Sequence, residues 1–463
     1  AMRAWTYLGM TMTFGKVPLI TEVLDYNSPN IPRDEVSVIR DFIMKELTEA
    51  AAILPEKYAG GYPNEKGRIT KYACLSLKAR AALYFGDYAL AESTAKEVMD
   101  KGGFSLFKIS SLSDAQKKEA EEMSLYIDFA EKGIDKDEFV KGMFNYEALW
   151  HTENANPDNP EYIMTRQYAA SSWDYQDMTR YTSMRPNQLG GWSSVTPTQN
   201  LVDAYWGVDG HSVPQLPTPE ERAKAYNQIK ADLDAYQKPE GEAKFIAFCQ
   251  EKIKNGTLKD YKYIQEFRNR DSRMYVSILM PFKSWYESNY GDKFVYEWIK
   301  NGNNESKTGF NFRKMLSLEN DANGDGQATG DYPCIRYAEI LLIYAEAHTQ
   351  TTGYDAATEA ALNQLRDRCG MPDVPSGLSK EEGLKLIQNE RRIELAGEGF
   401  RGDDMTRYSD DYWKEHMNNV PIMTPDGDTE LTMKWSSRMR LKPIPQTAID
   451  LNPLLAGDQN PGY

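Results

Sequence analysis

Apolar residues recur at helical spacing on two faces of the stretch from Pro333 to His348. Ile335, Ala338, Leu342 and Ala345 make one stripe, and Tyr337, Leu341, Tyr344 and His348 make another. A helix with two apolar faces is packed between neighbours, not laid on a surface. Its alanines let another helix approach closely. Pro333 is tolerated in a first turn, where its missing N–H costs nothing. Gly353-Tyr354-Asp355 breaks the pattern. It resumes from Ala356 to Arg368 with Ala357, Ala360, Ala361 and Leu365, and Gly370 then suits a left-handed residue past the helix end. The spacing predicts a helical hairpin.

The same hairpin is written earlier. A helical pattern from Tyr72 to Phe85 runs into a second over Ala89–Asp100 and stops at Gly102. Tyr72-Ala73 lines up with Tyr337-Ala338, Gly86-Asp87-Tyr88 with Gly353-Tyr354-Asp355, and Gly102 with Gly370. A spacing of about 30–34 residues is the tetratricopeptide period. One such unit cannot bury its apolar faces alone, so the copies predict one stacked scaffold with an insertion between them. Further helices are predicted over 1–14, broken by Gly15 and Pro18, and from Asp34 with Val36, Ile39, Phe42, Ile43 and Leu47 buried. Another runs from Lys380 to Gly397. Residues 103–145 read as a loop and an irregular polar helix, and Tyr146 to Trp150 as a short strand. From there to about 332 the periodicity is weak and turn residues are dense. A short helix is expected over 196–206, and a cap at Arg270–Arg273 leads into a strand or short helix.

Charge narrows the partners. The net charge of −15 over 463 residues argues against a nucleic-acid or anionic-membrane surface. No transmembrane run and no signal peptide stand in these residues. The chain opens inside an amphipathic helix, which implies that earlier residues precede it. Cys74, Cys249, Cys334 and Cys369 show no CxxC spacing. Cys74 and Cys334 fall in the first helices of the two hairpins, where a small buried thiol is ordinary. His151, His211, His348 and His416 are isolated, so no histidine metal site is expected.

Candidate chemistry gathers in the middle of the chain. Aromatic residues make up 12%, with 29 Tyr and 9 Trp, many in stretches rich in Gly, Asn, Ser and Asp. Trp173, Tyr175, Tyr181 and Trp192 offer flat planes on which the C–H faces of sugars dock, and Tyr168, Arg180, Arg185 and Asn187 offer bonds to hydroxyls. Trp285 and Tyr286 rank second, and Trp206 reads as structural. The competing reading is that large rings pin long loops. Asp321, Asn323 and Asp325 alternate like the front of a calcium loop, with Gly326 at the turn. The bidentate Glu of position twelve is missing: Tyr332 stands there and Asp331 one place early. The alternative is a plain polar turn. Arg336 and Glu339, with Arg391, Arg392 and Glu394, read as a buried ion-pair network holding helical pairs together, not as catalytic groups. Asp403-Asp404 adjacency does not supply two carboxylates flanking a cleft.

Seven segments in order carry a family resemblance. They are Phe14-Gly15-Lys16-Val17-Pro18-Leu19, then Pro197-Thr198-Gln199-Asn200-Leu201-Val202-Asp203-Ala204-Tyr205 with Asp209-Gly210, Arg270-Asp271-Ser272-Arg273, and Thr308-Gly309-Phe310 with Arg313-Lys314. Ile335-Arg336-Tyr337-Ala338-Glu339 pairs with Glu390-Arg391-Arg392-Ile393-Glu394-Leu395-Ala396 and Glu398-Gly399-Phe400-Arg401. Leu441-Lys442-Pro443-Ile444-Pro445-Gln446 and Gln459-Asn460-Pro461-Gly462-Tyr463 close the set. The sequence resembles the SusD/RagB family, surface nutrient-binding lipoproteins of Bacteroidetes.

The resemblance implies a mainly α fold of four tetratricopeptide-like pairs as a single domain over 1–463. The scaffold would occupy 1–110 and 333–409, a loop-rich ligand-binding insertion with a few short strands 111–332, and a C-terminal tail 410–463. The family's N-terminal part, with its signal peptide and lipidated Cys, is not among these residues. It also implies non-catalytic capture of an oligo- or polysaccharide, a lipid anchor at the outer membrane, and a SusC-like TonB-dependent transporter as partner. Peptide capture, a protein-only helical-repeat module and a glycan-cleaving enzyme are the alternatives.

Overall fold

The two hairpins share a capping Asp on the second helix and a glycine in the connecting turn. The Thr70 hydroxyl accepts the Ala73 N–H at the start of the helix Lys71–Tyr84, and the Asp87 carboxylate accepts the Leu90 N–H at the start of Tyr88–Lys101. Such side chains satisfy donors that the first helical turn leaves unpaired. In the second copy Asp355 caps Ala356–Arg368 by accepting from Ala357 and Thr358. Gly86 and Gly353 make the connecting turns at positive φ, and Gly370 takes the predicted left-handed conformation at φ 66°. In this computed structural model, residues 1–25, 29–58, 65, 67–169, 176, 177, 181, 191–237, 242–286, 294–316 and 328–463 are described.

The two hairpins share one scaffold. Tyr337–Thr351 packs against Tyr88–Lys101 of the earlier copy, and Val36–Ile53 and Met2–Phe14 continue the stack on one side. Lys380–Glu394 and Ala356–Arg368 continue it on the other. Ala73, Ala81, Ala95, Ala338 and Ala345 are fully buried in one core, the close approach that the alanine spacing predicts. Arg80 of the first hairpin donates two hydrogen bonds, each of 2.6 Å, to Glu339 of the second.

Two expected elements are corrected. Residues 333–336 are not the first turn of a helix. They lie in the strand Tyr332–Arg336, antiparallel to Tyr162–Arg166, and the helix begins at Tyr337. Pro333 is accommodated because, among the described residues, its strand pairs on one side alone and so sits on an edge. Cys334 is therefore in a strand, half-buried, while Cys74 is buried in its helix as expected. Tyr146 to Trp150 is not a strand: it is the end of the helix Lys136–Ala148 and the turn after it. From Gly142 to Ala148 every residue of that helix is buried. An apolar run buried on all sides has no period to betray its type.

The middle of the chain has its own core, centred on Phe139, Phe144, Tyr226, Phe267 and Tyr296. It includes the helices Pro219–Ala235 and Glu242–Lys254, which the weak periodicity did not foretell. The segment after the Asp271 cap is a short helix, Ser272–Ser277, running directly into the strand Ile278–Leu279. Helix Lys136–Ala148 crosses the second hairpin at Gly142. A Cβ there would overlap the carbonyl carbon of Cys369 and the backbone nitrogen of Gly370. Neither backbone atom can swing aside as a side chain would. Gly142→Ala is expected to cost about 3 kcal/mol, read as a lower urea midpoint with an unchanged slope.

A lattice of buried charges fastens this second core to the scaffold. Arg336 bonds Glu161 and Glu394 at 2.8 Å each, and Glu398 at 2.7 Å. Arg368 also reaches Glu161 and Glu394. Arg273 of the insertion reaches Glu390 at 2.8 Å and Glu394 at 3.0 Å. Lys314 adds Glu398 at 2.7 Å. The expected network is present: Arg336 meets Glu394 directly, Glu339 pairs with Arg80 and Arg391 with Asp404, whereas Arg392 bonds the Asn200 carbonyl and not an acid.

Candidate ligand-binding site

The strand pair Tyr162–Arg166 and Tyr332–Arg336 closes the base of the stretch from 167 to 331. Just beyond it the Tyr168 N–H donates to the Asp331 carboxylate at 3.2 Å. Further out, Gln176 and Ala328 exchange backbone hydrogen bonds of 2.8 and 3.0 Å, and the Gln176 amide donates to the Gly330 carbonyl at 2.8 Å. Past the sheet, the two arms of the insertion thus meet at Tyr168–Asp331 and again at Gln176 with Ala328 and Gly330. The guanidinium of Arg166 lies 5.0 Å over the Tyr168 ring and holds it half-buried on this stem.

Tyr181 and Trp192 stand beyond the stem. Their ring centroids are 5.5 Å apart and their planes nearly perpendicular at 87°, the edge-to-face arrangement that the ring quadrupoles favour. The Val195 N–H donates to the Tyr181 carbonyl at 2.9 Å. Ser193 turns the chain immediately after Trp192 with φ 47°, a conformation uncommon for a residue with a side chain. Despite their size, Tyr181 and Trp192 remain 40% and 42% exposed, and Val195 is exposed beside them. These exposed rings make the pair the candidate docking surface among the described residues.

Of the ten ligand candidates read from sequence, Trp173, Tyr175, Arg180, Arg185 and Asn187 lie outside the described residues, as do Asp321, Asn323 and Asp325 of the calcium reading. Trp285 offers no face to a ligand: it is 2% exposed, under the guanidinium of Arg313 at 5.1 Å. Tyr286 is half-buried and donates its hydroxyl to Glu122. Trp206 is structural as expected, buried and donating to Glu390 at 3.2 Å. Among the described residues no cluster of three His, Cys, Asp or Glu side chains could hold a metal ion. No described helix is long and apolar enough to cross a membrane.

Asp331 is buried at the stem, not displayed on a loop. Burial pushes its carboxyl up to about 6, against the bonds from Tyr168, Thr165 and Gln167 that favour the charge. A raised folded-state value gives stability that is fully present below the ordinary 3.8 and is lost as pH rises through about 6. Asp331→Asn is expected to flatten the stability profile across that window, checked by urea denaturation in stepped buffers.

Sequence reasoning missed a second concavity, a cleft of about 700 Å³ between the helix Pro219–Ala235 and residues 258–266. The available signal was the helix start itself. Thr218, Pro219 and Glu221 form a complete capping box with Pro in the first turn.

The SusD family profile matches residues 160–463. SusD-like protein P38 of Formosa agariphila is 22% identical over 422 residues, 88% of this chain and 65% of that protein. The chain spans less than two thirds of the length of the curated relatives it matches. A SusD-like protein of Bacteroides fragilis superposes with a TM-score of 0.71 at 25% identity, covering 100% of this chain and 78% of that one. A SusD-like carbohydrate binding protein of the same organism superposes at 0.65 with 21% identity, covering 98% and 78%. The matched stretch holds most of the insertion, the second hairpin and the charge lattice that joins them, and on that footing the chain belongs to the SusD family.

Proposed function

We propose that the protein is a non-catalytic receptor that holds an oligo- or polysaccharide on the Tyr181–Trp192 surface of its insertion. The observation that carries this reading is the exposed edge-to-face pair on a hydrogen-bonded stem. Sugar rings are apolar on their C–H faces and polar at their edges, so a fixed aromatic plane receives them without a prior ordering cost. A structural neighbour described as carbohydrate binding supports the ligand class. The buried carboxylates support binding over hydrolysis. Glu161, Glu390, Glu394, Glu398 and Asp404 each face an arginine or lysine in the interior, whereas a glycosidase needs two carboxyl groups facing the scissile bond. Delivery to a TonB-dependent transporter, with a lipid anchor at the outer membrane, completes the reading and draws on the family.

Native gels cast with starch, xyloglucan, xylan, mannan or laminarin test it. Retardation in at least one, with no reducing ends released, is the expected result. Unretarded migration in all of them, with heat released on adding oligopeptides, would replace the glycan with a peptide.

A further inference from the structure

We infer that the cleft beside the helix Pro219–Ala235 is a second carbohydrate site, built for a short neutral oligosaccharide and separate from the Tyr181–Trp192 surface. The inference rests on the carbohydrate reading above. Its volume of about 700 Å³ falls inside the usual range of small-ligand sites.

The walls of the cleft argue for the ligand class. Arg222, Lys224 and Lys262 are matched by Glu221, Asp260 and Glu266. An anion or a cation would meet as many like charges as opposite ones, so the cleft favours neither. Three amides, Gln215, Gln228 and Gln265, complete the polar lining. Amides and hydroxyls both donate and accept, which makes this lining complementary to a polyhydroxylated, uncharged molecule. The side chains of Gln215 and Gln265 are exposed and have no partner among the described residues. Leu216, Pro217, Ala225 and the Tyr261 ring add apolar surface against which C–H faces can lie.

The back wall is held before any ligand arrives. Arg222 donates to both oxygens of Glu266, at 2.7 and 3.0 Å, and Gln199 donates to the same carboxylate at 2.9 Å. The Tyr261 hydroxyl donates to Asp232 at 2.9 Å, which fixes the ring. A site whose groups are already oriented loses little entropy on binding.

Equilibrium dialysis tests the proposal, using hexasaccharides cut from whichever polysaccharide retards the protein and trigalacturonate as the charged control. Wild type should take up a second equivalent of hexasaccharide. Ala225→Trp, which fills the cleft, and the exposed pair Gln228→Ala/Gln265→Ala should lose that equivalent by about a tenfold weakening. Both should retain the one that Trp192→Ala removes. The glutamine pair guards against misfolding of the filled variant. A single equivalent, removed by Trp192→Ala and untouched by either cleft variant, would overturn the second site and leave the first standing. A single equivalent lost only in the cleft variants would support the cleft and overturn the aromatic surface. Uptake of trigalacturonate in place of hexasaccharide at the cleft would overturn the neutral assignment. Retardation by no polysaccharide would overturn both sites.

Discussion

Glu394→Ala is expected to destabilise the folded chain by about 3–5 kcal/mol, a large part of the 5–15 kcal/mol that holds a typical domain together. Glu394 is fully buried, and its carboxylate accepts from three arginines that are themselves shielded: Arg273 of the insertion, Arg336 of the strand and Arg368 of the second hairpin. Burial by itself would raise the carboxyl, but Arg368, Arg336 and Arg273 outweigh it and hold Glu394 well below the usual carboxylate range. The alanine would leave three guanidinium groups in the interior short of a counter-charge. That is the expensive case, because an unpaired buried charge pays for desolvation without recovering the attraction. Glu394→Gln keeps the shape and one acceptor oxygen and should cost less. Urea denaturation of the three proteins at pH 7 ranks them: wild type, then glutamine, then alanine. The wild-type lattice also sets the acid limit. Glu390, Glu394 and Glu398 are all depressed from 4.5, so their contribution is complete above that value and is lost as pH falls through the lowered ones. The lattice's share of wild-type stability should therefore be lost only below pH 4.5.

Trp192→Ala is expected to weaken glycan binding by about 2 kcal/mol, or roughly thirtyfold. Stability should hardly change. The ring is 42% exposed, so truncation opens no sealed cavity in the core, the usual source of large losses. Tyr181→Ala should weaken binding for two reasons. It removes one aromatic plane, and it removes the edge-to-face partner that sets the angle of Trp192. Trp192→Phe keeps a plane of smaller area and should fall between. Affinity gels read the binding order, and thermal melts of the same samples show whether the fold is intact. Normal retardation of both alanine variants would remove the aromatic pair from the site.

How far the chain could be read in advance follows from where each signal lives. The hairpins at 72–102 and 337–370 are local. Alanine spacing, a capping Asp and a glycine at positive φ all fall within one repeat, and the structure stacks the two copies as the spacing predicts. The strand at 332–336 is not local. Its partner lies at 162–166, and Pro333 ahead of a strong helix imitates a first helical turn. The charge lattice was foreseen as a type, but not its pairings, because Glu394 finds Arg273 across 121 residues. Trp285 shows the limit for the site. In sequence it resembles Trp192, a large ring among polar turn residues, yet one is buried beneath Arg313 and the other exposed beside Tyr181. Exposure is decided by the packing of the insertion on its own core, which a composition rich in rings does not encode.

Calorimetric titration of the purified protein with an oligosaccharide from the retarding polysaccharide, with mass analysis of the ligand recovered afterwards, asks whether the Tyr181–Trp192 surface holds a glycan without cutting it. Saturable heat is expected, lost in Tyr181→Ala/Trp192→Ala apart from any heat remaining from the cleft, with the oligosaccharide returned at its original mass. Undiminished heat in the double variant, or a shortened oligosaccharide, would contradict that role.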